Sequence, residues 1–233
     1  MTLAEQTMNL LLLGSCRIHY TLGSVIADCA HEVLNEIDPM WFMHNVRAAE
    51  QSLRIIMGEE KPPLHLKELI FETDDTRDIK YVAPDVVKNA DLLVVEMCTL
   101  KSLRLEGWEI NSHRTYREES RTGQKIEGVE ERYFTAHEIA GHIRKIKEAT
   151  LKPVMIVNHI STTGISSMDT ARRRVTDFTL AAQKMVDFEF FDTASVLNHV
   201  PLEQALEDHS HYRDEFMPVM GHALADHITR CFS

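Results

Sequence analysis

The sequence predicts an α/β protein built on a mostly parallel, five-stranded sheet covered by helices on both faces. Two observations carry this. Apolar runs of strand length alternate with amphipathic stretches of helical period along the whole chain, and strands separated by helices imply crossover connections and parallel pairing. The 233 residues also contain no internal repeat and no Gly/Ser-rich linker, so one domain spanning 1–233 is expected, long enough to bury a full core.

The first strand is Asn9 to Leu13, a continuous apolar run closed by Gly14 in "LLLLGSCRIHY". After it the apolar residues Ile18, Leu22, Val25, Ile26, Cys29 and Val33 recur at helical spacing, which predicts a helix over about 17–37. The pattern near 44–58 predicts the next helix, and Leu66 to Glu72 reads as the second strand. A short helix near 85–90 precedes the third strand, Asp91 to Met97. Residues 100–132, "LKSLRLEGWEINSHRTYREESRTGQKIEGVEER", are charged and weakly periodic, and a connection of that length inside a compact domain predicts an inserted loop or lid. A helix over 134–149, a strand from Pro153 to His159, and a helix over 167–186 follow. That last helix carries Met168, Ala171, Val175, Phe178, Ala182 and Met185 on one stripe. Asp187 to Phe191 is the fifth strand, and Val219, Met220, Ala223, Leu224, Ile228 and Cys231 mark a final helix over about 215–231.

Composition narrows the class of function. With 44% hydrophobic and 26% charged residues the chain reads as soluble and globular, and no apolar run reaches the length of a membrane span. "MTLAEQT" lacks the basic start of an export signal, so a cytoplasmic location is expected. A formal net charge of −11 argues against sequence-blind binding to nucleic acid, and nothing calls for a membrane partner. The four cysteines Cys16, Cys29, Cys98 and Cys231 show no CxxC spacing and read as reduced thiols. Of the 13 histidines, His209, His211, His222 and His227 cluster near the C-terminus. His222 and His227 are five apart, which misses the i, i+4 spacing of a helical ligand pair, so no metal is expected.

In an open α/β sheet, ligands bind beyond the carboxyl ends of the strands. Ser15 and Cys16, Thr73 and Asp74, Glu96, Cys98 and Thr99, Asn158, His159 and Ser161, and Asp192 and Thr193 stand there. Ser15, at a strand-to-helix turn, has backbone N–H groups of a helix start beside it, suited to an oxyanion or a phosphate. "DHSHYRDEFMPVMGHALADHI" supplies Asp208 and His211, three apart, so one loop presents a carboxylate and an imidazole together. A carboxylate on one ring nitrogen fixes the tautomer and leaves the other to take a serine proton. Cys16 is the weaker alternative nucleophile. Glu96, at the end of an apolar strand, pairs with Arg17 as a structural ion pair or accepts a substrate hydroxyl. Arg172 to Arg174 read as a solvated face or as the partner of a phosphate.

"LLLLGSCRIHY" together with "DHSHYRDEFMPVMGHALADHI" resembles the SGNH (GDSL-like) hydrolase superfamily, nearest to its GSCFA and polysaccharide-biosynthesis acyltransferase-like branch. The resemblance covers nearly the whole chain and implies a three-layer α/β/α sandwich with a flavodoxin-like sheet order. It implies Ser15 as nucleophile, His211 as base and Asp208 as the partner of His211. The superfamily's G-x-N-D block has no counterpart at "VVEMCTLKS". The oxyanion donors are therefore expected from the Ser15 amide with Asn45 or Asn158, and Arg17, Glu96 and His159 are expected to contact substrate. The activity implied is serine-dependent acyl transfer, as an esterase or O-acyl (acetyl) transferase acting on a carbohydrate-type or small ester. No cofactor is required beyond a coenzyme A-type acyl donor in the transferase case, and a homo-oligomer is left open. The alternative is a non-catalytic protein of the same fold that holds a phosphate- or sugar-containing ligand at the Ser15 turn.

Overall fold

The computed structural model describes residues 7–71, 73, 83–161 and 167–232. Five strands, β1 (Met8–Leu13), β2 (His31–Val33), β3 (Leu92–Met97), β7 (Val154–Asn158) and β8 (Glu189–Phe191), form one sheet in the order β2-β1-β3-β7-β8, with every pair parallel. Counted within this sheet the order is 2-1-3-4-5, the flavodoxin-like arrangement.

Successive side chains of a strand point to opposite faces, and both faces are covered. Leu11, Leu13, Leu93, Val95, Val154 and Ile156 pack with α2 (Val46–Ile56), α6 (Ala136–Thr150) and α7 (Ser167–Gln183). Leu10, Leu12, Leu92, Val94, Met155 and Val157 pack with α1 (Cys16–Gly23) and α10 (Met217–Phe232). The result is a three-layer sandwich. At Gly221 a Cβ would stand 2.4 Å from the Thr21 carbonyl oxygen, so glycine lets α10 lie directly on α1.

Three elements differ from the sequence reading. The helix expected over 17–37 stops at Gly23, and its apolar continuation includes the edge strand β2. The strand expected at Leu66 to Glu72 is a 3-10 turn at Leu64–Leu66 followed by α3 (Lys67–Ile70), with Leu66 and Ile70 buried one helical turn apart. A short apolar run fits either period, and here the helical one prevails. Glu72, Asp74 and the Met168 side chain lie outside the described residues. Elsewhere α4 (Asp85–Asn89), α8 (Ala194–Leu197) and α9 (Leu202–Ala205) are short connectors.

The stretch expected as a loop folds instead. β4 (Lys101–Leu105), β5 (Trp108–Glu109) and β6 (Glu130–Tyr133) make an antiparallel sheet in the order β5-β4-β6, with α5 (Ser112–Thr122) inserted before β6. Glu106 (φ 53°) and Gly107 (φ 85°) close the two-residue β4–β5 hairpin in the left-handed conformation such turns need. Side chains anchor this sheet to α2. Gln51 donates to the Glu109 carbonyl and accepts the Glu109 N–H, each at 2.9 Å, and Asn45 donates to Glu109 Oε1 at 2.9 Å. Burial of Glu109 raises its carboxyl above the ordinary value despite the hydrogen bonds from Ser102 and Asn45 and nearby Arg47.

Candidate active site

Parallel pairing in register brings the C-terminal ends of β1 and β3 together, with Leu13 opposite Val95. The turn after β1 therefore meets the end of β3. Ser15 caps α1: its backbone is extended, and its Oγ accepts the Arg17 N–H at 3.3 Å. Its own N–H donates to Glu96 Oε2 at 2.7 Å, and Arg17 Nε donates to Glu96 Oε1 at 3.0 Å. Gly14 permits this approach, because a Cβ there would lie 2.7 Å from the Glu96 Cβ. Both Ser15 and Glu96 are buried.

Burial raises the carboxyl of Glu96, but the Arg17 charge and the hydrogen bonds from Ser15 and Arg17 reverse this and hold it below the ordinary value. Glu96 is therefore an ion-paired carboxylate. Arg17 continues outward, donating from Nη1 to the Ser210 carbonyl at 2.9 Å and from Nη2 to Cys98 Sγ at 3.2 Å. One guanidinium thus joins the Ser15 turn, the end of β3 and the loop that bears Asp208 and His211.

In that loop Asp208 Oδ1 accepts the backbone N–H groups of Ser210 at 2.6 Å and His211 at 2.8 Å. Its two oxygens lie 3.0 and 2.9 Å from His211 Nδ1. The hydrogen bond from His211, aided by the Ser210 N–H, pulls the exposed Asp208 carboxyl down to about 2. With Nδ1 donating to Asp208, His211 keeps Nε2 as an acceptor.

The expected oxyanion donors are all engaged in this structure. The Ser15 N–H faces Glu96. Asn45 caps α2, accepting the Ala48 N–H at 2.9 Å, and directs its amide to Glu109 Oε1 and the Lys101 carbonyl. Asn158 donates to Thr176 Oγ1 at 2.8 Å and Asp192 Oδ1 at 2.7 Å, and accepts the Thr193 N–H at 2.8 Å. Each carboxamide thus ties together chain segments distant in sequence, with no N–H left for an acyl oxygen. Burial raises the Cys16 and Cys98 thiols, so neither is activated as a thiolate.

A cavity of about 280 Å³ opens beyond the ends of β3 and β7, walled by Thr99, Tyr133, His159, Arg172, His209 and Ser210 among others. His159 Nδ1 is buried there without a partner among the described residues, and burial together with the Arg17 and Arg172 charges holds this ring well below the ordinary histidine value. Arg172 donates to the His209 carbonyl, fixing the loop that carries His211 as one wall. Burial likewise lowers His44 to about 4. The sequence reading singled out neither His44 nor Tyr133. The only signals for them were the polar pair His44–Asn45 after an apolar run and the short stretch 130–133, which folds as β6.

A model of the TviD N-terminal domain family matches residues 8–127 and 116–227. The chain belongs to that family. No curated protein matches the sequence. Among solved structures, this TviD N-terminal domain protein is similar to Axe2, an acetylxylan esterase from Geobacillus stearothermophilus, at 11% identity and a TM-score of 0.50, covering 99% of this chain and 98% of that one. It is also similar to LAE5, an alpha/beta hydrolase enzyme from the metagenome of Lake Arreo, Spain, at 12% identity and a TM-score of 0.51, covering 97% and 96%. At such identity the likeness shows the fold alone, the three-layer sandwich on a parallel five-stranded sheet. The catalytic mutants of Axe2 among these structures replace a serine, an aspartate and a histidine, the last two three positions apart.

Proposed function

We propose that this protein is a serine acyl-transfer enzyme acting on carbohydrate-type esters, as an esterase or an O-acetyltransferase. The observation that carries this reading is the Asp208–His211 pair on a loop that Arg17 ties to the Ser15 turn. The spacing of aspartate and histidine matches that of the Axe2 catalytic mutants, and in this chain Ser15 follows the first strand.

In this reading Ser15 Oγ attacks the acyl carbonyl while His211 Nε2 takes its proton and Asp208 holds Nδ1–H. The tetrahedral adduct expels the alcohol, protonated by His211, and leaves Ser15 acylated. Water or a sugar hydroxyl, deprotonated by His211, then releases the acyl group. For the oxyanion the chain offers the Ser15 N–H and the positive charge of Arg17. The acyl oxygen has to take the place that Glu96 Oε2 occupies at that N–H. The cavity beside Ser210 is where we place the sugar or the rest of the acyl donor, with His159 and Arg172 as its polar contacts. A phosphate-bearing donor such as coenzyme A fits the Arg172 side.

A specific observation favours a second reading. With the Ser15 N–H on Glu96 and both asparagines engaged, the turn serves equally as the floor of a non-catalytic binding site for a sugar- or phosphate-containing ligand. Acetate release from acetylated xylo-oligosaccharides and p-nitrophenyl acetate, with and without added sugar acceptors and acetyl-coenzyme A, separates the two. Turnover that vanishes in Ser15→Ala and His211→Ala supports the enzyme. Ligand binding without turnover in the folded wild type supports the binding protein.

A further inference from the structure

The far end of α10 holds a group of side chains that the candidate active site does not use. His227 and Cys231 are four apart in the last turns of this helix, on one face, and Glu189 begins the neighbouring edge strand β8. One ligand atom from each of the three lies within 4.8 Å of the others. Cys231 Sγ and His227 Nε2 are 3.6 Å apart. That separation is close to what two ligands of one tetrahedral zinc ion show: bonds of about 2.3 Å to sulfur and about 2.0 Å to nitrogen put the two atoms about 3.5 Å apart. The His227 ring is held in place by an edge contact with Phe191, centroids 5.3 Å apart.

We propose that Glu189, His227 and Cys231 form a site for one divalent metal ion of the zinc class, with water as the fourth ligand. A mixed sulfur, nitrogen and oxygen set with an open position suits zinc or cobalt and not the oxygen-seeking magnesium or calcium. On binding, the Cys231 thiol loses its proton to solvent and the thiolate bonds the ion, while His227 binds as the neutral imidazole. Thiolate and carboxylate together balance the two positive charges of the ion. The ion would clip the C-terminal helix to the exposed end of the sheet. The helical spacing that His222 and His227 lack is supplied by His227 and Cys231.

The test is titration of the full chain, stripped with a chelator, with cobalt(II), followed by zinc(II). The expected result is a thiolate-to-cobalt charge-transfer band that saturates at one equivalent and is abolished by zinc. Zinc at 100 times its Kd should raise the melting temperature by roughly 5–10 °C. Cys231→Ser, with unchanged circular dichroism, should lose both the band and the thermal shift, and Glu189→Gln should weaken cobalt binding about tenfold or more. No band at one equivalent overturns the proposal. So does a band or a zinc shift that persists at full size in Cys231→Ser, since Cys16, Cys29 or Cys98 would then be the ligand.

Discussion

Glu96→Gln isolates the interaction on which the geometry of the Ser15 turn depends. The wild-type carboxylate accepts two donors, the Ser15 N–H and Arg17 Nε. Glutamine keeps one acceptor oxygen and turns an NH2 toward the other donor. One charge-assisted hydrogen bond is lost, about 1.5–3 kcal/mol. Arg17, only 11% exposed, also loses its counter-ion. Breaking a buried pair by removing one partner costs about 3–5 kcal/mol. The retained acceptor and the Ser210 carbonyl on Arg17 place the expectation near the lower end, about 3 kcal/mol. For a domain of this size that is a fall of about 6–12 °C in melting temperature.

Urea unfolding of the wild type, Glu96→Gln, Arg17→Met and the double variant, followed by tryptophan fluorescence, measures the loss and the coupling. We expect a coupling energy of about 1–3 kcal/mol. The pH dependence has a definite sign. Because the folded-state pKa of Glu96 is depressed, its stabilisation is fully present above the unfolded carboxyl value of about 4.3 and is lost as pH falls through the lower folded value. Glu96→Gln should lack that component of acid destabilisation. A loss below about 1 kcal/mol, or a coupling indistinguishable from zero, would refute the assignment of Glu96 as the buried anchor of the turn.

Other expectations follow from the same contacts. Gly14→Ala forces a Cβ against the Glu96 and Ile18 side chains and should cost about 1–3 kcal/mol, read as a lower melting temperature. Gly221→Ala should destabilise similarly by pushing α10 off the Thr21 carbonyl, and a neutral effect would show that the two helices can separate freely. Asp208→Asn should lower kcat about a hundredfold or more with little change in melting temperature, since it removes the carboxylate from an exposed imidazole. Cys16→Ala should leave turnover within about threefold, and a larger loss would point to the thiol as nucleophile.

How much of this was legible in the chain depended on burial and on distance. β1, β3 and β7 are covered on both faces, and each appears in the sequence as a continuous apolar run. β2 has three residues at the sheet edge, too few to interrupt the helical stripe that runs from Ile18 to Val33. β6 is exposed along its length, so Glu130 to Tyr133 carry no hydrophobic signal, although Glu106–Gly107 between Leu105 and Trp108 is a hairpin cue. Ser15, Asp208 and His211 stand in recognisable local motifs. The engagement of Asn45 and Asn158 was not legible, because their partners Glu109 and Asp192 are fixed by tertiary packing. Pairing of Glu96 with Arg17 was one of two readings of the sequence, and register between β1 and β3 brings the two side chains together.

The central claim is that Ser15 is an activated nucleophile. Intact-mass analysis after incubation with a fluorophosphonate probe tests it most directly, using the wild type, Ser15→Ala, Cys16→Ala and His211→Ala. The account predicts one adduct on the wild type and on Cys16→Ala, none on Ser15→Ala, and strongly slowed labelling of His211→Ala. A folded wild type that stays unlabelled, or a label that persists in Ser15→Ala, would contradict it.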